Sequence, residues 1–394
     1  MKELITNLLS NLPLEMRNIK KPLYLDLVLD GGAFNGSYLI GALKFLKKME
    51  ENGWIKIRRI SGASIGAICG FLYLTDALDE FKYFYTELSS HFRTHKNLNK
   101  TEQFTNRLRD IWEKSQQIKN KNDNDNDNEE GKLIFKKRLY ISYWDISKCQ
   151  KITINSYKNI NSLLKIINRS CFVPLFLNGK MLCDDKYMDG LSPYIFSHKT
   201  KPNPKLKPKK EKEIKKETIK EKEMEMEKEM KKEKEMKKEM EKEMKKEKET
   251  IKAANYKILF LNLVGINKVN EIWNIRNEIT NEQRVLFGML DIHNFFIKET
   301  ATSMCSYVDE FGTYNFISNN FVYNNKLRYV IEYMFVFMMK IYYIMLSFFE
   351  YYELNHKIDK YICHPNNYKL RIIIYYFKSL LMGLQNLFIE LNCL

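Results

Sequence analysis

Hydrophobic and polar residues alternate along the N-terminal part of the chain in a way that predicts strands and helices in turn. Residues 22–29 (PLYLDLVL) form an almost continuous apolar run, which is typical of a buried strand, and residues 54–60 (WIKIRRI) alternate as a second strand would. Between them, residues 38–52 place apolar side chains on one helical face, and residues 67–74 (AICGFLYL) can form a buried helix. This order predicts an α/β domain with a parallel sheet.

Similar patterns continue further along the chain. Residues 76–114 are predicted to be helical. They are followed by two predicted strands at residues 139–145 and 151–157, a helix at residues 159–170 and another strand at residues 256–265. The run at residues 119–131 (KNKNDNDNDNEEG) is too polar to pack against a core, so it predicts a disordered loop.

A segment of Lys, Glu and Met at residues 199–252 interrupts the predicted core. It holds 22 Lys and 15 Glu, a net charge of 22 − 15 = +7, and its charged pairs three and four residues apart favour a solvated helix. We interpret it as an insertion that leaves the fold intact, with binding to a membrane surface or a partner as the alternative. The predicted organisation begins with an N-terminal extension (residues 1–21) and the first part of the core (22–198). After the insertion (199–252), the core continues (253–320) and is followed by a helical, aromatic-rich C-terminal region (321–394).

The most apolar window of the chain, residues 333–349, lies in the C-terminal region. It is shorter than the roughly 20 residues that a membrane-spanning helix needs, and Lys340 lies near its middle. A core or interface helix, a helix on a membrane surface and a membrane span are the three interpretations that the window leaves open.

Composition excludes some partners and indicates a compartment. Of the net charge of +16, the charge outside the Lys/Glu/Met segment is 16 − 7 = +9, and it forms no compact cluster, which argues against nucleic acid. Seven cysteines form no CxxC pair, and the N-terminus lacks the apolar core of a signal peptide. We therefore expect reduced thiols and an intracellular protein, cytoplasmic or peripherally associated with a membrane.

Candidate chemistry begins with DGGAFNGS at residues 30–37, a glycine-rich loop between a strand and a helix. Its backbone N–H groups could converge on a phosphate or an oxyanion. The loop is not a dinucleotide fingerprint, because GxGxxG would need glycine at Ala33, and it has no GK[ST] as a Walker loop would. An ordinary tight turn is the plainer interpretation.

Two further motifs contain a nucleophile and a carboxylate. Gly62-Ala63-Ser64-Ile65-Gly66 is a GxSxG string between a strand and a helix, the context of a nucleophile elbow, although serine is also a common helix N-cap. Met188-Asp189-Gly190 follows a proline-containing apolar segment and an Asn178-Gly179 turn, which suggests a hairpin whose exit presents the Asp189 carboxylate. An Asp-Gly pair alone is usually just a turn.

Together and in this order, the three motifs resemble those of the patatin-like phospholipase family, which has a DGGGxRG-type loop, a GxSxG elbow and a later Asp-Gly. The resemblance covers about residues 22–198 and resumes near 255–320. It implies a three-layer α/β/α core with a mostly parallel central sheet. It also implies that Ser64 attacks the ester carbonyl of a phospholipid or other lipid, and that Asp189 accepts the hydroxyl proton as general base.

The resemblance assigns the other motif residues as well. The backbone N–H groups of Gly31, Gly32 and Ala33 would form the oxyanion hole, and Gly36, Gly62, Gly66 and Gly190 would support the motifs. The scheme requires no cofactor and no metal, and it places the substrate at a peripheral membrane surface.

Two departures from the family pattern leave alternatives open. Ala33 replaces a third glycine and supplies an N–H provided that its φ is negative, and Asn35 stands where the family usually has arginine. These departures leave open an inactive, membrane-associated relative. An acyltransferase using the same residues is a further alternative, because the same acyl-enzyme can pass its acyl group to an alcohol. An α/β-hydrolase triad would instead need a late histidine, for which the candidates are His198, His293, His356 and His364.

Overall fold

The computed structural model describes residues 2–95, 101–122, 134–174, 180–196, 256–263, 280–308, 330 and 332–344. The predictions for residues 123–131, for the Asn178-Gly179 turn and for the insertion at residues 199–252 lie outside these ranges. The chain divides into two compact units, Met1–Phe196 with Lys257–Leu394, and Ser197–Tyr256. Of the second unit, only Tyr256 is among the described residues.

The core of the first unit is a seven-stranded sheet with helices on both sides. The strand order is β4-β3-β2-β1-β6-β7, and β5 pairs with the end of β3, beyond the residues of β3 that pair with β2. The strands β1, β2 and β3 run parallel, whereas β4 and β5 are antiparallel to β3 and β7 is antiparallel to β6. The strands are β1 (Leu23–Leu29), β2 (Ile55–Ala63), β3 (Leu139–Asp145), β4 (Gln150–Ile154), β5 (Tyr187–Met188), β6 (Tyr256–Leu261) and β7 (Cys305–Val308).

This architecture confirms the predicted α/β fold with its mostly parallel sheet. Strand β1 is a continuous apolar run because its last five residues are buried, as in a strand covered by helices on both faces. Its one charged residue, Asp26, is fully buried and accepts hydrogen bonds from the Nε atoms of Arg58 and Arg59, at 3.0 and 3.1 Å. A buried carboxylate is tolerated here because two guanidinium groups of β2 pair with it.

The helices follow most of the predicted pattern. The first eight α-helices of the described residues, in chain order, are α1 (Lys2–Ser10), α2 (Leu14–Arg17), α3 (Gly36–Glu51), α4 (Ile65–Leu74), α5 (Phe81–His95), α6 (Thr101–Asn122), α7 (Ile160–Ser170) and α8 (Asn281–Lys298). Residues 332–344 form a further helix, which we call α9. The predicted polar loop at residues 119–131 is wrong for its first residues, because α6 continues to Asn122.

Helices α3 and α8 cross with their backbones in contact. A Cβ atom placed on Gly41 would lie 1.9 Å from the carbonyl oxygen of Val285, and one on Gly288 would lie 1.9 Å from that of Tyr38. Because no side chain fits at either glycine, α8 is held directly against the first turns of α3.

Helix α9 has one buried and one exposed side. Its buried side chains, Val336, Met339 and Tyr342, pack in a small hydrophobic cluster with side chains from the β3 and β5 region, among them Trp144 and Met188. Within the described ranges, no helix is both long enough and apolar enough to cross a membrane.

Candidate active site

Ser64 occupies a strained turn between β2 and α4. Its backbone has φ 53° and ψ −127°, a conformation that residues other than glycine rarely adopt. The turn is anchored from two other elements, because the Ser64 N–H donates to Ser170 Oγ at 3.0 Å and that hydroxyl donates to the Ser142 carbonyl at 2.7 Å. The serine is partly exposed, as a nucleophile must be.

The spacing of glycines around Ser64 follows from close backbone contacts. A Cβ atom on Gly62 would lie 2.5 Å from the carbonyl carbon of Gly66, and one on Gly66 would lie 2.4 Å from the Leu29 carbonyl oxygen. The elbow therefore bends tightly over the end of β1. At Gly36 the neighbour is a side chain, since a Cβ atom there would lie 2.4 Å from Ile65 Cγ1.

Asp189 follows β5 and is held by the end of α7. Its N–H donates to the Phe172 carbonyl at 2.8 Å, and the N–H of Gly190 donates to the Ser170 carbonyl at 3.2 Å. A Cβ atom on Gly190 would lie 2.1 Å from the Ser142 carbonyl oxygen, so this residue too must be glycine. Helix α7 thus positions both candidate catalytic residues, through Ser170.

Asp189 is only 5% exposed, and its two carboxylate oxygens differ in their hydrogen bonding. Its Oδ1 atom accepts a hydrogen bond from the Leu191 N–H at 2.7 Å. Its Oδ2 atom has no hydrogen-bond partner of normal geometry among the described residues. An acceptor without a partner in a buried position is available to a hydroxyl group.

The three motifs meet at one point of the structure. A Cβ atom placed on Gly31 would lie 3.4 Å from Ser64 Cβ and 3.0 Å from the carbonyl oxygen of Leu191, two residues after Asp189. The glycine loop therefore lies close to both the elbow and the Asp-Gly segment.

Burial raises the pKa of Asp189 from its ordinary 3.8 to about 6. The Ser64 hydroxyl and the Leu191 N–H oppose this rise of the pKa, which places Ser64 beside the carboxylate, even though no hydrogen bond of normal geometry joins their side chains. Glu332 raises the pKa further and Lys151 lowers it. A carboxylate with a pKa near neutrality is suited to general base catalysis.

Lys151 and Glu332 form a largely buried ion pair near Asp189. The Lys151 Nζ lies 3.0 Å from Glu332 Oε2 and also donates to the hydroxyl of Ser192, three residues after Asp189. Neither residue was predicted from the sequence to lie at the site, and nor were Ser142 and Ser170. No local motif marks them, since Lys151 starts a predicted strand and Glu332 immediately precedes the apolar window.

The glycine loop differs in two ways from the sequence-based expectation. The N–H of Gly31 donates to its neighbour Asp30, at 3.0 Å from Oδ1, while the other oxygen of this buried carboxylate accepts from the Leu263 N–H at 3.2 Å. Within the described part of the chain, the N–H groups of Gly32 and Ala33 donate to no acceptor. Ala33 has φ 40°, so the negative φ on which the use of its N–H was made conditional is not observed. The alanine instead adopts the left-handed conformation natural to the glycine it replaces, and in that conformation it still has its N–H.

The described histidine candidate lies in another environment. His293 on α8 is buried against the Phe45 ring, with 5.8 Å between the ring centroids, and burial lowers its pKa. His198, His356 and His364 lie outside the described ranges. In the described residues, no group of three or more His, Cys, Asp or Glu side chains could hold a metal ion. None of the five cysteines with described positions forms a disulfide.

Comparison with known families finds one match, over the part of the chain that contains the site. Residues 27–191 match the family model described as patatin-like phospholipase, which confirms the resemblance found in the sequence. The matched region contains the glycine loop, Ser64 and Asp189. A search of curated proteins finds no match. The match supports an esterase or phospholipase that acts on lipids.

Proposed function

We propose that this chain, whose residues 27–191 match the model of the patatin-like phospholipase family, is a lipid acyl hydrolase with Ser64 as nucleophile and Asp189 as general base. The observation that carries this proposal is the packing of the glycine loop close to both a strained, partly exposed serine and the segment that holds a buried carboxylate. That carboxylate has a pKa of about 6 and one oxygen without a hydrogen-bond partner.

In the proposed reaction, Asp189 Oδ2 accepts the proton of the Ser64 hydroxyl as Oγ attacks the ester carbonyl carbon. The negative charge that develops on the carbonyl oxygen is stabilised by the N–H groups of Gly32 and Ala33 and by the positive end of α4. The ester C–O bond then breaks, and the alcohol leaves with the proton from Asp189. Water hydrolyses the acyl-enzyme by the same steps and restores Ser64.

Gly31 has a different role in this scheme. Because its N–H is directed at Asp30, it shapes the loop and leaves room beside the serine instead of contributing a hydrogen bond to the oxyanion.

The substrate of such an enzyme is part of a lipid surface, and we assign the contact with that surface to α9. Its outward side chains Tyr333, Met334, Phe335, Phe337, Met338, Ile341 and Ile344 are between 38% and 57% exposed. Single exposed apolar residues are common, but a contiguous row of large ones marks an interaction site. Because Glu332 at the start of α9 pairs with Lys151, this surface lies beside Asp189.

Hydrolysis of phospholipid vesicles tests the catalytic assignment. We expect the wild-type protein to release fatty acid, and Ser64→Ala and Asp189→Asn to lower the rate by at least about a thousandfold. Ser61→Ala and Asp185→Asn are the matched controls, being the same changes a few residues away, and should leave the rate unchanged. A Ser64→Ala protein with wild-type activity contradicts the proposal, and transfer of the acyl group to an added alcohol in preference to water identifies an acyltransferase.

Vesicle binding tests the assignment of α9. Phe337→Asp should weaken binding to vesicles and slow hydrolysis of vesicle lipid, yet leave hydrolysis of a soluble short-chain ester unchanged. Leu14→Asp is the control, since this residue of α2 is equally apolar and 65% exposed. Equal vesicle binding by both variants and the wild type rules out α9 as the contact surface.

A further inference from the structure

A buried arginine of α8 contacts the glycine loop at the residue where the family pattern has its own arginine. Arg284 is only 1% exposed, and its Nη1 donates a hydrogen bond to Asn35 Oδ1 at 3.2 Å. Its guanidinium carbon lies 5.9 Å from the centroid of the Tyr38 ring. The cation that the loop itself lacks is therefore supplied by a residue 249 positions later in the chain.

Helix α8 is fixed against the loop at more than this one contact. The Ser37 hydroxyl donates to Asn281 Oδ1 at 2.6 Å, one helical turn before Arg284. The backbone contacts at Gly41 and Gly288 hold the two helices together on the other side of Arg284. The guanidinium group is consequently held at a fixed distance from the loop.

Asn35 connects Arg284 to the proposed oxyanion hole. This fully buried residue donates its own N–H to the Gly32 carbonyl at 2.9 Å, and its Cβ lies 3.7 Å from where a Cβ atom on Gly32 would be. The Gly32 carbonyl belongs to the same peptide group as the Ala33 N–H. A hydrogen bond accepted by the carbonyl polarises that peptide group and makes its N–H a stronger donor.

We propose that Arg284 is a positioning residue for the oxyanion hole. Its hydrogen bond fixes Asn35, which in turn holds the Gly32–Ala33 peptide group, and its charge favours the negative oxygen that develops beside that group. Arg284 does not touch the substrate and acts through Asn35. This inference rests on the proposed function, because it assigns the oxyanion to the Gly32 and Ala33 N–H groups.

The test compares variants that alter the charge with one that alters only packing. Asn35→Asp keeps the side-chain shape and pairs with Arg284, so the protein stays folded while the cation is neutralised. We expect its kcat on a soluble ester to fall about tenfold to a hundredfold, less than for loss of a direct donor, with KM within about threefold of wild type. Arg284→Met should behave similarly, and Arg284→Lys, which keeps the charge, should recover part of kcat.

Val285→Ala is the matched control, since this buried neighbour on α8 packs against α3 without carrying charge. It should lower the melting temperature and leave kcat unchanged. If Asn35→Asp and Arg284→Lys both keep wild-type kcat, Arg284 has a structural role only and the inference is wrong, even where Arg284→Met fails to fold. A wild-type protein without esterase activity would instead refute the proposed function, and this inference with it.

Discussion

Replacing Asp189 by asparagine tests how the carboxylate affects the free energy of unfolding, separately from its role in catalysis. Burial raises the pKa of Asp189 from 3.8 to about 6, so the folded protein binds this proton more tightly than the unfolded chain does. The stability that results is fully present below the unfolded pKa and is lost as the pH rises through the folded pKa. At about 1.4 kcal/mol per pH unit, the ionised Asp189 lowers the free energy of unfolding by about 3 kcal/mol above pH 6.

The amide side chain of the Asp189→Asn variant does not titrate, and its oxygen can still accept the Leu191 N–H. Any constant effect of the substitution cancels when two pH values are compared. We therefore expect the free energy of unfolding of Asp189→Asn, relative to wild type, to increase by about 2 kcal/mol between pH 4.5 and pH 8.

Urea unfolding at a series of pH values measures this difference. Asp185→Asn serves as the control, because it makes the same change at an exposed position four residues earlier. If the difference in free energy of unfolding between Asp189→Asn and wild type stays constant across the series, the argument is refuted, because the native carboxylate would then have an ordinary pKa.

Two other predictions follow from groups around the site. Glu332→Gln removes a negative charge that raises the pKa of Asp189, so the acid limb of the pH profile of kcat/KM should move to lower pH than in the wild type. Lys151→Met removes a positive charge that lowers this pKa and should move the limb to higher pH. Unchanged profiles in both variants would show that the ion pair does not influence Asp189. Ala33→Gly should raise the free energy of unfolding by up to about 1 kcal/mol and retain activity, because glycine adopts φ 40° without strain. Ala77→Gly is its control in thermal unfolding, since Ala77 has φ −114° and should lose stability instead, and a loss of stability in both would contradict the strain at Ala33.

The parts of the fold that the sequence predicts are those with strong local signals. Strand β1 is a continuous apolar run because it is buried on both faces, and the helix after the elbow is apolar almost throughout for the same reason. The order of the three motifs locates Ser64, which lies between two glycines, and Asp189, which precedes one. The motifs are short strings in the chain, although the close backbone contacts that require their glycines come from distant segments.

The parts that could not be predicted depend on contacts between distant segments. The left-handed φ of Ala33 and the engagement of the Gly31 N–H by Asp30 are set by the packed loop, and no local pattern marks them. Arg284 reaches Asn35 from a helix 249 residues later, and its own sequence neighbours give no hint of that contact. Lys151 and Glu332 likewise meet only in the folded chain.

Reaction with a fluorophosphonate probe, followed by mass spectrometry of the labelled peptide, tests the central proposal most directly. We expect the wild-type protein to carry the phosphonyl group on Ser64, Asp189→Asn to react far more slowly, and Ser61→Ala to react like wild type. Absence of labelling in a wild-type protein shown to be folded, or labelling of another serine, would contradict the assignment of Ser64 and Asp189 as the catalytic pair.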